Sequence, residues 1–224
     1  RLETDLGYEF VQNNFQPLNP YRTAEFVRDW NVQNAYTTQE HIGRGAMALQ
    51  KQGLGRLSYE FSGYVRDSLY EGNKHFGQLQ IERGGFDINA TFNQLQAAGQ
   101  NERSTFSRPK GHIFKTFDKL GGWKIGAYGE REKNQRFTTG TDTLNAASFY
   151  YDLYRLTLDS PSGKQFGIGF KYQQRYDFTP VGKNFEQLTL GDEFNVNGNW
   201  NAGRASRLNW NMTYRKLQIN RPQR

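Results

Sequence analysis

The chain has 224 residues, of which 35% are hydrophobic and 15% aromatic, with no cysteine and a formal net charge of +7 at pH 7. The missing cysteines exclude disulfide-stapled and thiolate-metal classes, and no apolar run approaches the ~20 residues that a membrane helix needs. Low hydropathy does not exclude a β-barrel, because only alternate residues of its strands face lipid.

Leucine, isoleucine and valine are sparse, while Tyr, Phe, Gly, Asn, Gln and Thr are plentiful, a bias that suits half-buried pleated strands better than helices. One all-β unit is expected at this length. The chain begins at Arg1 with no methionine or signal-like segment and ends in Arg-Pro-Gln-Arg, so a processed chain or a piece of a longer one is expected.

Taken in order, Leu2, Thr4, Leu6, Tyr8 and Phe10 alternate with polar residues and predict a first strand. From Asn13 to about Ile42 the pattern weakens. Asn19-Pro20-Tyr21-Arg22 reads as a turn and only Phe26 to Val32 resembles a strand, so residues 1–42 are read as a strand and an irregular arm. Residues 43–224 are read as an antiparallel meander of ten to twelve long strands.

Leu57, Tyr59, Phe61 and Val65 share a face opposite Ser58, Glu60, Ser62 and Arg66; Phe86, Ile88, Ala90 and Phe92 oppose Asp87, Asn89, Thr91 and Asn93. Phe166, Ile168, Phe170 and Tyr172 repeat the split. So do Leu188, Leu190, Phe194, Val196 and Trp200, with Leu208, Trp210, Met212 and Tyr214 on the returning strand. Two features disturb the pattern. Asp192 falls within an apolar face, which a register shift at Gly191 or a place beyond the membrane would relieve, and Phe149 to Leu158 is apolar on both sides, which burial on both sides or a bulge near Arg155 would explain.

Short connections rich in Gly, Asn, Asp or Pro occur at Lys51-Gln52-Gly53-Leu54-Gly55, Arg83-Gly84-Gly85, Asp118-Lys119-Leu120-Gly121-Gly122, Asp159-Ser160-Pro161-Ser162-Gly163 and Asn201-Ala202-Gly203-Arg204. Between them lie polar stretches without strand periodicity, at about Asp67–His75, Gln96–Lys110, Arg131–Ala147 and Asp177–Glu186, read as longer loops. Short turns at one rim and long loops at the other are what an outer-membrane barrel displays. No repeat of fixed sequence is read, so a solenoid or propeller is not indicated.

Trp123, Tyr172, Trp200, Trp210 and Tyr214 are candidate rim or binding aromatics, and Arg103, Arg108, Lys110, Arg131, Lys133 and Arg136 are candidate basic loop residues. The basic chain raises nucleic acid as a partner, but no basic cluster, RNA-binding signature or helix-turn-helix pattern accompanies the charge, and no nucleic-acid partner is expected. Basic loops would instead meet phosphorylated headgroups. His41, His75 and His112 have no metal-ligand spacing and read as solvated loop residues. Glu130 and Glu132 face one side of a strand as paired glycosidase carboxylates would, yet Arg131, Lys133 and Arg136 beside them favour a charged rim. Gly43-Arg44-Gly45 and Gly167-Ile168-Gly169 read as glycines under a crowded sheet face, since no helix follows to make a phosphate loop. No catalytic residue, cofactor or metal is assigned.

In Phe106-Ser107-Arg108-Pro109-Lys110, in Gly122-Trp123-Lys124-Ile125-Gly126-Ala127-Tyr128-Gly129-Glu130-Arg131-Glu132-Lys133-Asn134, and in Phe170-Lys171-Tyr172-Gln173-Gln174-Arg175-Tyr176-Asp177, the chain resembles large β-strand-rich envelope proteins of Bacteroidetes; Tyr21-Arg22 and Asp29-Trp30-Asn31 add to the likeness. The resemblance implies a place in the cell envelope and a larger parent assembly. It transfers no functional residue. Together these readings predict an outer-membrane β-barrel, or a sector of a larger one, with a structural, pore or transport role and with membrane lipid, lipopolysaccharide or other envelope proteins as partners. The alternative is a soluble β-sheet module of the periplasm or cell surface that binds glycan or protein through exposed aromatics.

Overall fold

The computed structural model describes residues 1–13, 30, 39–67, 69–141, 143–161, 165–201 and 206–220. Among the described residues twelve strands follow one another: β1 (Leu2–Val11), β2 (Glu40–Lys51), β3 (Gly55–Arg66), β4 (Tyr70–Arg83), β5 (Phe86–Gly99), β6 (Glu102–Ser107), β7 (Lys110–Phe117), β8 (Trp123–Thr138), β9 (Phe149–Asp159), β10 (Phe166–Val181), β11 (Asn184–Asn201) and β12 (Arg207–Ile219). They form one antiparallel sheet in which neighbours in space are neighbours in sequence, except that β6 and β7 both pair with β5 and β8. The predicted all-β meander is therefore the architecture of the chain. The turn at Asn19-Pro20-Tyr21-Arg22, the segment Phe26 to Val32 (apart from Trp30), and Ala202 to Arg204 lie outside the described residues.

β6 and β7 occupy one place in the sheet. Against β5 the pairs Gln94↔Ser107 and Thr91↔Lys110 keep one register, and against β8 so do Ser107↔Lys133 and Lys110↔Glu130. The break is chemical. Arg108 exchanges two backbone bonds with Asn93 (2.7 and 3.3 Å), and the Pro109 carbonyl accepts from the Arg131 N–H (3.0 Å), but proline has no N–H to return to Arg131. Pro109→Ala is expected to join β6 and β7 into one strand. Its new amide should exchange slowly by NMR, with a stability change within about 1 kcal/mol because one ladder bond offsets the greater freedom of the unfolded chain.

The short connections Lys51–Gly55, Arg83–Gly85 and Asp118–Gly122 fall at one rim, as predicted, as do the strand ends Asp159, Phe166, Asn201 and Arg207 that flank the other two. At Gly84 and Gly85, φ is 59° and 77°, which a two-residue hairpin of this twist requires and only glycine adopts cheaply. Of the long loops expected at the other rim, residues 139–148 between β8 and β9 do form one, and the other three are corrected. β4 resumes at Tyr70, β5 ends at Gly99 with β6 from Glu102, β8 runs to Thr138, and β10 and β11 are joined by Gly182 and Lys183 alone. These stretches are polar on both faces, so no alternation marks them, yet their backbones continue the ladder. The basic "loop" residues are accordingly strand residues: Arg103 in β6, Lys110 in β7, and Arg131, Lys133 and Arg136 in β8, with Arg108 at the β6–β7 break. His41, His75 and His112 also lie in strands, β2, β4 and β7.

β9 pairs in unbroken register with β8 and β10, so there is no bulge near Arg155. The irregularity lies elsewhere. Asp177 pairs with Thr189 but Phe178 with Gln187, leaving Leu188 as the extra residue, and Gly191 is regularly paired with Arg175. Asp192 therefore stays on the apolar face. There the Tyr172 hydroxyl donates to it at 3.0 Å.

Direct cross-strand pairs carry each face from strand to strand. One face holds Leu6, Met47, Leu57, Leu79, Ala90, Ile113, Ala127, Leu156, Phe170, Val196 and Met212, and the other Glu3, Arg44, Glu60, Lys110, Glu130, Arg155, Lys171, Glu193 and Arg215. Exposure separates them. Leu6, Leu156 and Met212 are 88%, 58% and 68% exposed, whereas the Glu130 and Glu193 side chains on the polar face retain 8% and 18%. Crowding on the polar face and splay on the apolar one is what coiling around the polar face produces.

The polar face carries one apolar cluster, at the rim away from the short turns, of Trp30, Ile42, Tyr64, Tyr70, Leu95 and Ala97 with Phe106 against it. Trp30 meets Tyr64 edge to face at 5.4 Å, and the Tyr70 hydroxyl donates to the Trp30 carbonyl. Burial pushes the Tyr70 hydroxyl pKa well up, with nearby Arg66 pulling the other way.

Candidate functional site

The outward face is zoned along the strands. Next to the short turns, Leu57–Phe61 of β3, Phe86–Phe92 of β5, Ile113 of β7, Ile125 of β8, Leu156 and Leu158 of β9, Phe166–Tyr172 of β10 and Leu208–Tyr214 of β12 supply a continuous apolar band through alternate positions. Above it the same face becomes polar at Gln94, Gln96, Arg103, Arg131, Lys133, Asp152, Gln174 and Asp192. Among the described residues the charges on this face at the short-turn rim are Lys51, Arg83 and Lys115. Lys115 lies over the Phe86 ring at 4.1 Å and donates to the Gly84 carbonyl at 2.5 Å, its stem along the aromatic and its head at the turn.

Aromatics edge the band on both sides. Trp123 opens β8, Trp200 stands one residue from the end of β11, and Trp210 near the start of β12 covers Gly198, where a Cβ would collide with its indole. Tyr172 and Tyr214 stand at the far edge with Tyr8 and Tyr154. The five candidate aromatics thus share one face but divide between two rims, so they do not converge on a pocket. In β9 the outward Tyr154 and Leu156 are exposed and, of its apolar residues, only the inward Leu153 is buried, so the expected burial on both sides is corrected.

The candidate basic residues also separate. Arg131 and Lys133 point outward; Arg131 pairs with Asp152 (2.6 and 3.0 Å), and both cations face the Tyr150 ring, at 5.4 and 5.8 Å. Arg103 lies over Phe137 at 5.5 Å on the same face. Arg108, Lys110 and Arg136 face the other way, and Arg136 pairs with Glu102.

The polar face is the chemically dense one. Arg108 bridges Glu130 (2.6 Å) and Glu132 (3.1 Å), and the Tyr151 hydroxyl contacts the same two carboxylates at 2.9 and 3.0 Å. Tyr128 donates a further bond to Glu130. Arg155 lies over Tyr128 and bonds Gln173; Arg175 lies over Tyr151 at 4.3 Å and bonds Asp177; Lys171 and Arg215 clamp Glu193 at 2.5 and 2.7 Å. Toward the short turns, Asn195 donates to Asn211 (2.8 Å) and Thr213 (2.7 Å), and Gly167 and Gly169 leave room for Asn199 and Asn197 above them. Gly167 and Gly169 thus do lie under a crowded face, while at Gly43 nothing lies within 4 Å.

This pattern argues against acid–base work by Glu130 and Glu132. A general acid needs a proton at working pH, and both carboxylates are held by a shared guanidinium and a shared tyrosine. The partner that neutralises them is Arg108, not the Arg131 and Lys133 of the opposite face. Arg108→Met is expected to destabilise the sheet by about 2 kcal/mol in denaturant titration, less than the ~3–5 kcal/mol of a fully buried pair because Arg108 is 39% exposed. Adding Glu130→Gln and Glu132→Gln should recover most of that loss.

Sequence reasoning missed a repeat. Leu6-Gly7-Tyr8-Glu9-Phe10 and Leu57-Ser58-Tyr59-Glu60-Phe61 share Leu-x-Tyr-Glu-Phe, and each is answered by a histidine on the next strand. Tyr8 hydroxyl and His41 Nδ1 are 2.7 Å apart, as are Tyr59 hydroxyl and His75 Nδ1, with Phe10 and Phe61 directly opposite the two rings. The signal was a tripeptide spaced 51 residues apart, readable only once the register is known. Also missed was a shallow outward groove of about 690 Å³, floored by Gly77, Ala90, Gly111 and Gly129.

Among the described residues no group of three or more His, Asp or Glu could hold a metal ion. No family model, curated protein or solved structure matches this chain.

Proposed function

We propose that this chain is wall of an outer-membrane β-barrel in a Gram-negative cell envelope, with a structural, pore or transport role and with membrane lipid or lipopolysaccharide against its apolar face. The observation that carries this reading is the band of exposed and half-exposed apolar side chains that runs across the strands of the sheet, backed by a face of paired charges. A water-soluble sheet of this size would bury such a band against a second layer.

Magnitudes support it. Phe86 to Phe92 in β5 and Phe166 to Tyr172 in β10 each span ~20 Å along the strand, about 16 Å of height at a strand tilt of about 40°, the larger part of the ~25 Å outward band of outer-membrane barrels in a membrane thinner than average. Tryptophans at one edge and tyrosines at the other suit the two interfaces. The short turns then mark the periplasmic rim, and the polar upper halves of the strands project outside the bilayer. The phrases that resemble Bacteroidetes envelope proteins fit the same compartment.

The test is fractionation and folding. The chain should sediment with the outer membrane, need detergent to stay in solution, and migrate differently on gels before and after boiling. A chain that is monomeric and soluble without detergent overturns the reading and favours a periplasmic or surface module, for which Trp200→Ala and Trp210→Ala should abolish glycan binding.

A further inference from the structure

β1 pairs only with β2, and β12 only with β11, among the described residues. Because β6 and β7 share one place, the twelve strands fill eleven places joined entirely by antiparallel ladders. Direction reverses at each of the ten steps between those places. β12 therefore runs the same way as β1, from the short-turn rim to the opposite rim. Resting on the barrel reading above, we propose that the wall closes through an odd number of further strands outside residues 1–224, antiparallel to both β1 and β12 and belonging to the same polypeptide.

Parity removes the two simpler closures. Joining β12 to β1 directly makes a parallel pair, whereas single-chain bacterial outer-membrane barrels are antiparallel with an even strand number. A second copy inserted the same way round in the membrane offers only the same two edges, both running away from the short-turn rim, so every contact between copies is again parallel. Leaving the edges open is worse, since lipid supplies no partner for their N–H and C=O groups.

Both edges are dressed to continue the wall. β12 keeps Leu208, Trp210, Met212 and Tyr214 outward against Asn209, Asn211, Thr213 and Arg215 inward; β1 keeps Leu2, Leu6, Tyr8 and Phe10 outward against Glu3, Asp5 and Glu9. Neither carries a proline or bulge of the kind that blunts a terminal edge. Apart from β6 and β7, neighbours in space in this sheet are neighbours in sequence, so the strand beside β1 is the one that precedes it. Charge adds a constraint. Asp5 faces inward and has no described partner, so the incoming strand should bring a basic residue beside it.

Leu6→Cys combined in turn with Leu208→Cys, Met212→Cys or Tyr214→Cys tests closure in a chain that has no native cysteine. The 224-residue chain and a version extended by its natural flanking sequence are folded in detergent micelles and followed by oxidation and amide exchange. The expected result is no intramolecular disulfide in the shorter chain, with β1 and β12 amides exchanging at least tenfold faster than those of β3 to β10, and at least tenfold slowing of both edges in the longer one. An intramolecular disulfide with protected edges in the shorter chain overturns the proposal in favour of self-closure. Covalent dimers with protected edges overturn it in favour of a second copy, and edges that stay fast in the longer chain overturn it outright. Failure of the membrane reading shows separately, as protected β3 to β10 amides without detergent; the edges are then read in buffer by the same comparison.

Discussion

Leu156→Arg is expected to cost the sheet about 2–4 kcal/mol in phospholipid vesicles, the penalty of a cation at mid-depth on a lipid-facing strand. Leu156 lies in the middle of the outward band, between Ala127 and Tyr172, and is 58% exposed. In water, exchanging so exposed a leucine for arginine changes stability by only about ±0.5 kcal/mol, so this single substitution separates lipid from solvent as the medium beyond that face. Two companions fix the interpretation. Asn209→Arg, on the polar face of β12, should be nearly neutral, and Phe166→Arg, at the first position of β10 beside the short-turn rim, should cost about 0–1 kcal/mol because the penalty falls toward the interface. Denaturant unfolding in vesicles supplies all three values, and three equal, near-zero values would remove lipid from the outward face.

The band was legible in the sequence because hydrophobicity with period two needs only local order. Leu57, Tyr59 and Phe61 announce their face without any knowledge of β4. The upper halves of the strands were illegible for the converse reason. Arg131 to Thr138 has polar or charged residues on both sides, so nothing in its pattern distinguishes a strand from a loop; what makes it a strand is pairing with β6, which the sequence does not display. Register decided the rest. Glu130 and Glu132 were seen to share a side, but that Arg108 answers them follows only from the pairing of β6 and β7 with β8 across the Pro109 break. For Asp192 a register shift at Gly191 and a place beyond the apolar stretch are both readable from the sequence; the ladder is regular at Gly191 and its bulge falls at Leu188, above the band. Asp192 remains outward where the apolar band gives way, satisfied by Tyr172.

The polar face has its own apolar island, and its removal is the second large effect expected. Tyr64 is 1% exposed; its ring packs against Trp30 and against Tyr70 at 5.2 Å, and its hydroxyl donates to Glu40 at 2.9 Å, with Glu40 itself only 4% exposed. Tyr64→Ala therefore combines a ring-sized cavity with the loss of a donor to a buried carboxylate, and about 3–5 kcal/mol is expected. Tyr64→Phe isolates the hydrogen bond and should cost about 1–2 kcal/mol. The cluster is also where Trp30, distant in sequence from both β1 and β2, is held to the sheet by ring contact and by the Tyr70 hydroxyl. If that attachment is local, Tyr64→Ala should expose the Trp30 indole, read as quenching in a variant whose Trp123, Trp200 and Trp210 are phenylalanine, before the β8 to β11 ladder loses amide protection. Simultaneous loss of both would instead make Tyr64 part of one cooperative core, and the polar face would then be stabilised as a whole rather than by an island at its far rim.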